Sequence, residues 1–299
     1  MLEPGTHIGD FEIEEFVATG GMSRVYRACH IHDRKPFAVK ILHEAWCHDD
    51  ELRARFCNEA SALEQIHHPS IVEAVERGFS ADGTPFMILE WLPWTLERVL
   101  VLADSRTPYP LAARVTASVA RALDALHQRG IVHRDLKPSN IFLSEFELSS
   151  ATIKLGDLGL AKVDAQGPDR HGADPREQVS AAVPVSTGGS TMLGTWDYMA
   201  PEQWIQAKQA TPVADVYSLG VILFRMLTGR LPFVADDERA LMALHLFEEP
   251  PWHLLDGHAD GPAPELRERL ARMMGKRVGE RPSVAAVIRW FSTSREDPP

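Results

Sequence analysis

The sequence predicts an α+β fold: a small antiparallel sheet that carries one helix, then a larger and mainly helical part. Two observations predict it. The first ~90 residues alternate like strands with one helical stretch inserted. From residue 95 onward, apolar residues recur at helical spacing, with Pro and Gly near the expected ends. The chain has 299 residues, 44% of them apolar and 24% charged, an ordinary globular composition that can bury a sizeable core.

In chain order, "FEIEEFVA" (11–18) and "RVYRACH" (24–30) flank Gly20-Gly21 and read as a hairpin; "PFAVKIL" (36–42) is a third strand. Residues 49–66 read as the inserted helix, with Leu52, Phe56, Leu63 and Ile66 on one stripe and Glu59 filling its gap. A carboxylate on a buried stripe is costly unless a cation meets it. Spacing alone leaves open whether Glu59 is paired inside or exposed at the stripe's edge. "IVEAVERGFS" (71–80) and "PFMILEWL" (85–92) form a strand pair around Asp82-Gly83. Residues 111–130 are helical, with Gly130 as the stop. A helix over 212–228 opens at Pro212 and ends at Gly229. Further helices are expected near 236–248, 264–274 and 283–291. Residues 164–190, rich in Gly, Pro, Ala and polar side chains, are expected to form a mobile loop within the domain.

The net charge of -11 argues against general binding to nucleic acid or to an anionic membrane, since both need clustered Lys and Arg. Three cysteines without C-x-x-C spacing suit a reducing compartment and read as ordinary thiols. The N-terminus lacks a signal-peptide core. The most apolar window, "YSLGVILFRML" (217–227), falls short of the ~20 residues a span requires. A soluble, cytoplasmic protein without a membrane span is expected.

"IVHRDLKPSNIFL" (131–143) gathers His133, Arg134, Asp135, Lys137 and Asn140 between two apolar runs. Those runs pin the loop to a core, so its polar groups face something specific. "KLGDLGLAK" (154–162) then ends a short strand in Asp157-Leu158-Gly159. "GTWDYMAPEQ" (194–203), "ADVYSLG" (214–220) and "GERPS" (279–283) follow. This ordered set resembles the Ser/Thr protein kinases, nearest in flavour to the eukaryotic-like kinases of bacteria, over about residues 11–291.

The resemblance implies a two-lobed kinase fold with ATP in the cleft between the lobes. It implies one kinase domain over 1–299, with an N-lobe at about 11–89, a hinge at 90–94, a C-lobe at about 95–291 and an activation segment at 157–202. Lys40 falls where the family's strand lysine holds the α- and β-phosphates, and Glu59 where its helix partner should be. Asp135 matches the residue that orients the substrate hydroxyl. Lys137 resembles the lysine that neutralises the γ-phosphate and favours Ser/Thr over Tyr. Asn140 and Asp157 match the ligands of Mg²⁺, with Mn²⁺ as the alternative ion. His133 is expected to pack and brace the loop. Glu202 and Arg281 resemble the ion pair that clamps the A-P-E segment, and Asp215 the carboxylate that braces the catalytic loop.

For the adenine, the resemblance implies Val17, Val25 and Ala38 above and Phe142 below. Leu89 gates the back pocket, and the backbone of Glu90 to Leu92 meets the base. Phe142 is bulkier than the usual Leu or Met. Ala18, Gly20 and Ser23 take the three positions of a G-x-G-x-x-G loop, with Gly21 adding freedom; weaker loop contact with retained ATP binding is expected. On the activation segment, Ser186, Thr187, Ser190 and Thr191 are candidate phosphate acceptors for Arg134, Thr187 foremost, and Thr195 would brace Asp135 and Lys137. Transient homodimers would serve trans-autophosphorylation. The protein substrate is unspecified, although Ser139 stands where kinases of basic substrates often carry Glu. The chain stops soon after the kinase motifs, so any sensor is expected on another molecule. The alternatives are a pseudokinase-like nucleotide-binding scaffold, or a small-molecule kinase, against which the peptide-docking segment argues.

Overall fold

The computed structural model describes residues 1–103, 106–158, 162–163, 196–206, 211–256 and 263–292. The chain forms two compact units: Met1–Thr95 with Phe142–Leu160, and Leu96–Ile141 with Ala161–Pro299.

The first unit is built on a six-stranded antiparallel sheet. Its strands are β1 (His7–Ile8), β2 (Phe11–Thr19), β3 (Ser23–His30), β4 (Pro36–Leu42), β5 (Ala74–Phe79) and β6 (Pro85–Glu90), in the order β1-β2-β3-β4-β6-β5. Successive side chains alternate between faces. One face supplies a core of Phe11, Ile13, Tyr26, Ala28, Val39, Ile41 and Ile88. Helix α1 (Asp50–Glu64) packs on β5 and β6. It starts at Asp49, whose carboxylate accepts from the backbone N–H groups of Glu51 and Leu52, both at 3.0 Å. Phe56, Glu59 and Leu63 of α1 are buried, as is Ile66 beyond it.

A second, three-stranded sheet completes this unit: β7 (Trp94–Thr95), β9 (Ile141–Leu143) and β10 (Ile153–Leu155), in the order β10-β9-β7. It explains why residues 142–158, expected with the helical part, pack with the first unit. It also shortens one expected strand. Residues 71–80 read as one apolar-rich run, yet only Ala74–Phe79 joins the large sheet. Ile71 and Val72 turn to β10 instead: Val72 N–H donates to the Leu155 carbonyl (2.9 Å), and Leu155 N–H to that of Ser70 (2.8 Å).

The second unit is mainly helical: α2 (Leu96–Ala103), α3 (Tyr109–His127), α4 (Pro201–Gln206), α5 (Pro212–Thr228), α6 (Glu238–Phe247), α7 (Ala263–Met273) and α8 (Val284–Phe291). Short strands β8 (Ile131–Val132) and β11 (Lys162–Val163) pair antiparallel. Helix α3 packs on α5 and α8, and α5 is buried almost end to end, as an all-round apolar helix must be. It stops at Gly229, whose φ of 72° takes the left-handed cap that side chains resist. Among the described residues no helix is long and apolar enough to cross a membrane. The loop over 164–190, the candidate acceptors Ser186, Thr187, Ser190 and Thr191, and Thr195 lie outside the described residues.

Candidate active site

Strand register gathers the first group of candidates. Val25 pairs with Lys40, and Ala38 with Leu89. Directly opposed residues share a face, and so do residues two apart. Val25, Ala38, Lys40 and Leu89 therefore lie on one face of the sheet, opposite the Tyr26–Val39–Ile88 core. Val17 stands at a register shift between Phe16 and Ala18, and is partly exposed. The β2–β3 turn closes through Gly20 N–H to the Ser23 carbonyl at 2.7 Å. Gly21 has open space where a Cβ would stand, so neither crowding nor torsion within the chain demands glycine there. That leaves room for a ligand to approach the backbone. Glu90 and Leu92 are half-buried. The Glu90 carboxylate accepts from Lys154 and from Glu73 N–H, which fixes the end of β6.

Lys40 resolves the question that spacing left open at Glu59. Its Nζ donates to Glu59 Oε1 and to Asp157 Oδ1, both at 2.8 Å. The Lys40 and Glu59 side chains are 8% and 2% exposed, whereas Asp157 is 43% exposed. Burial works against the Lys40 charge, but Asp157 and Glu59 outweigh it and hold Lys40 above the usual lysine range. Burial pushes the Glu59 carboxyl up, against the pull of Lys40. Asp157 has a φ of 59°, an uncommon conformation for a side-chain-bearing residue, which aims its carboxylate at Lys40. Leu158 beside it is buried.

The second group lies in the other unit, where Asp215 of α5 organises the loop after β8. Its carboxylate accepts from His133 N–H (3.0 Å) and Arg134 N–H (2.8 Å), and meets His127 Nε2 at 2.7 Å. Two adjacent N–H groups on one buried carboxylate hold Arg134 at φ 66°, a turn its side chain would otherwise resist. His133 is fully buried, and its Nδ1 accepts from Asp135 N–H at 3.3 Å. Lys137 Nζ lies 2.8 Å from Asp135 Oδ2. Asn140 donates through Nδ2 to the Asp135 carbonyl (2.8 Å) and carboxylate (3.3 Å). That commits the amide nitrogen and leaves the Asn140 side-chain oxygen as a hard donor. Each unit thus offers one hard oxygen donor of the type a small divalent cation takes: the Asn140 amide oxygen in the second and the half-exposed Asp157 carboxylate in the first.

Glu202 and Arg281 form a forked pair at 2.6 and 2.7 Å, and Arg281 also donates to the Gly275 carbonyl at 2.7 Å. Three partners here escaped sequence reading. Gln203 donates to the Arg134 carbonyl at 2.8 Å, tying "APEQ" to the loop after β8. Arg225 grips Glu97 at 2.6 and 2.8 Å and also bonds the Tyr198 hydroxyl. His127 shares Asp215. None carries a local signal, because each partner lies far away in sequence.

Fold and side-chain groups together describe a protein kinase. The protein kinase domain model matches residues 11–290, and the chain belongs to that family. It is similar to bacterial Ser/Thr kinases in particular. Serine/threonine-protein kinase Pkn1 of Myxococcus xanthus is 36% identical over 253 residues, 83% of this chain and 33% of that protein. PknB of Mycobacterium leprae is 32% identical over 248 residues, 82% of this chain and 36% of its own. PknL of Mycobacterium tuberculosis is 31% identical over 271 residues, 90% of this chain and 61% of its own. The chain thus spans 33% to 61% of the length of these relatives.

Proposed function

We propose that the chain transfers the γ-phosphoryl group of ATP to Ser or Thr hydroxyls of proteins. The observation that carries this reading is the lysine held between two carboxylates: Lys40 with Glu59 and Asp157. An ammonium fixed in that way is pre-oriented for phosphate oxygens and needs no reorganisation when the nucleotide arrives. Phosphoryl transfer asks for little covalent chemistry from a protein; it needs positioned charge and an aimed alcohol.

In this reading Lys40 meets the α- and β-phosphates. Asp157 and Asn140 would be the ligands of a divalent cation, Mg²⁺ by preference, which would neutralise phosphate charge when bound. Asp135 accepts the hydrogen bond of the incoming hydroxyl and aims its oxygen. Lys137, already beside Asp135, offsets the charge of the transferred group. Asp215 acts through the backbone: by fixing His133 and Arg134 it fixes the direction of Asp135. The named relatives are Ser/Thr kinases, and Lys137 agrees with that acceptor class. The test is transfer of radiolabelled phosphate from ATP to a Ser/Thr/Tyr peptide library by purified protein. Label on Ser or Thr peptides is expected; label confined to Tyr peptides, or none, contradicts the reading.

A further inference from the structure

The resemblance places Phe142 at the floor of an adenine site, where it is bulkier than the usual residue. The packing around Gly156 accounts for that bulk. Gly156 is buried and directly precedes Asp157. A Cβ built on it would lie 2.9 Å from Phe142 Cε2, 3.2 Å from Phe142 Cδ2 and 2.9 Å from Val72 Cγ2. Carbon atoms prefer ~3.5–4.0 Å, so the edge of the Phe142 ring occupies the volume that a side chain at 156 would need. Glycine is required here by space.

The surrounding backbone cannot easily give way. Phe142 and Gly156 sit on or beside β9 and β10, neighbours in the three-stranded sheet. Leu155, next to Gly156, is bonded on both sides to the segment 70–72. Any added bulk must therefore displace the ring, Val72 or Asp157.

We infer that Phe142 and Gly156 form one complementary pair: the absent side chain at 156 admits the large ring at 142, and the pair sets the floor of the nucleotide site and the seat of Asp157. Gly156 is then a positioning residue acting through Phe142. This rests on the reading that the first unit binds ATP. A methyl at 156 drives the ring edge toward the space for the base. Leucine at 142 vacates the ring's share of the space beside Gly156, so the two changes together relieve that part of the clash and leave Val72 Cγ2 as the remaining close neighbour.

The test compares wild type, Gly156→Ala, Phe142→Leu and the double variant. Three readouts are taken: fluorescence titration with N-methylanthraniloyl-ADP, KM for ATP and for a peptide acceptor, and Tm. Gly156→Ala is expected to weaken nucleotide binding and raise the ATP KM by on the order of tenfold, as overpacking does. The peptide KM stays unchanged. The double variant recovers part of that loss, the part due to the ring. Wild-type affinity in Gly156→Ala, or losses that merely add in the double variant, overturn the pairing. Should Gly156→Ala not fold, the double variant is still required to fold and bind; its failure also overturns the pairing. If wild type binds no adenine nucleotide, the ATP reading fails, while non-additive Tm values at 142 and 156 still report the packing pair.

Discussion

Lys40 Nζ lies 2.8 Å from Glu59 Oε1, at a site where both side chains are nearly sealed from water. The pair joins a strand to a helix and leaves the lysine pointing also at Asp157. Removing one member strands a buried charge, which costs about 3–5 kcal/mol where nothing replaces it. Here Asp157 still faces Lys40, so Glu59→Gln should cost less stability, about 1–3 kcal/mol. Lys40→Met should abolish phosphoryl transfer while the protein remains folded. Denaturant melts and a steady-state ATPase or peptide assay check both; a Lys40→Met variant with wild-type turnover contradicts the role of the lysine.

Asp215 gathers two backbone N–H groups and one histidine on a single buried carboxylate. Asp215→Asn keeps the shape but gives up the charge and turns one acceptor into a donor. A loss of about 2–3 kcal/mol of stability is expected. Turnover should fall more than substrate binding does, because Asp135 loses its aim. Urea unfolding paired with kcat and KM measurements separates the two effects. Equal kcat in variant and wild type would show that the loop keeps its shape without Asp215.

Glu97 and Arg225 join α2 to α5 through a forked pair, with the Tyr198 hydroxyl on the same guanidinium. Glu97 is partly exposed, so water screens the pair and moderates its worth. Arg225→Ala should lower stability by about 1–2 kcal/mol, mostly through the lost anchor of Tyr198. The charge swap Glu97→Arg with Arg225→Glu should recover most of this, since a carboxylate at 225 can accept from the tyrosine. Melting temperatures of Glu97→Arg, of Arg225→Glu and of the swap form a double-mutant cycle. A swap as unstable as the worse single would deny the coupling.

His245 is fully buried, with Nδ1 2.9 Å from the Tyr217 hydroxyl and its carbonyl bonded by Lys276 Nζ at 2.8 Å. Burial, then the Lys276 charge, push its pKa down to about 3. An unfolded histidine titrates near ~6.5. Below that value the unfolded chain gains a proton that the folded chain refuses. This contribution to stability is therefore intact above pH ~6.5 and is lost as pH falls toward 3, reaching roughly 2 kcal/mol by pH 5. His245→Gln should shrink the stability difference between pH 7.5 and pH 5 by about that amount. Chemical denaturation at the two pH values checks it, and an unchanged difference speaks against a neutral buried histidine.

The candidate groups could be picked out because they travel in short ordered strings. "FAVK", "HRDLKPSN" and "GDLG" carry their meaning locally, and the elements around them follow from alternation and from Pro and Gly at helix ends. What the sequence hid were the partners. Glu59 could not be assigned to the interior from α1 spacing alone, because its cation lies on another strand. Gln203, His127 and the Glu97–Arg225 pair act across long sequence separations. Ile71 and Val72 read as part of a strand because they are apolar and β-branched, although their backbone groups bond to Leu155. Gly156 shows the same limit most plainly, since a side chain that must be absent leaves no mark until its neighbour is in place.

The most direct test of the whole account is Asp135→Asn, measured for nucleotide binding and phosphoryl transfer on the same preparation. N-methylanthraniloyl-ADP should bind within about twofold of wild type, since Asp135 is assigned no contact with the nucleotide. Phosphate transfer to a Ser/Thr peptide should fall by at least ~10²-fold, the low end for loss of a positioned acid–base group. Transfer by Asp135→Asn at the wild-type rate would contradict the account.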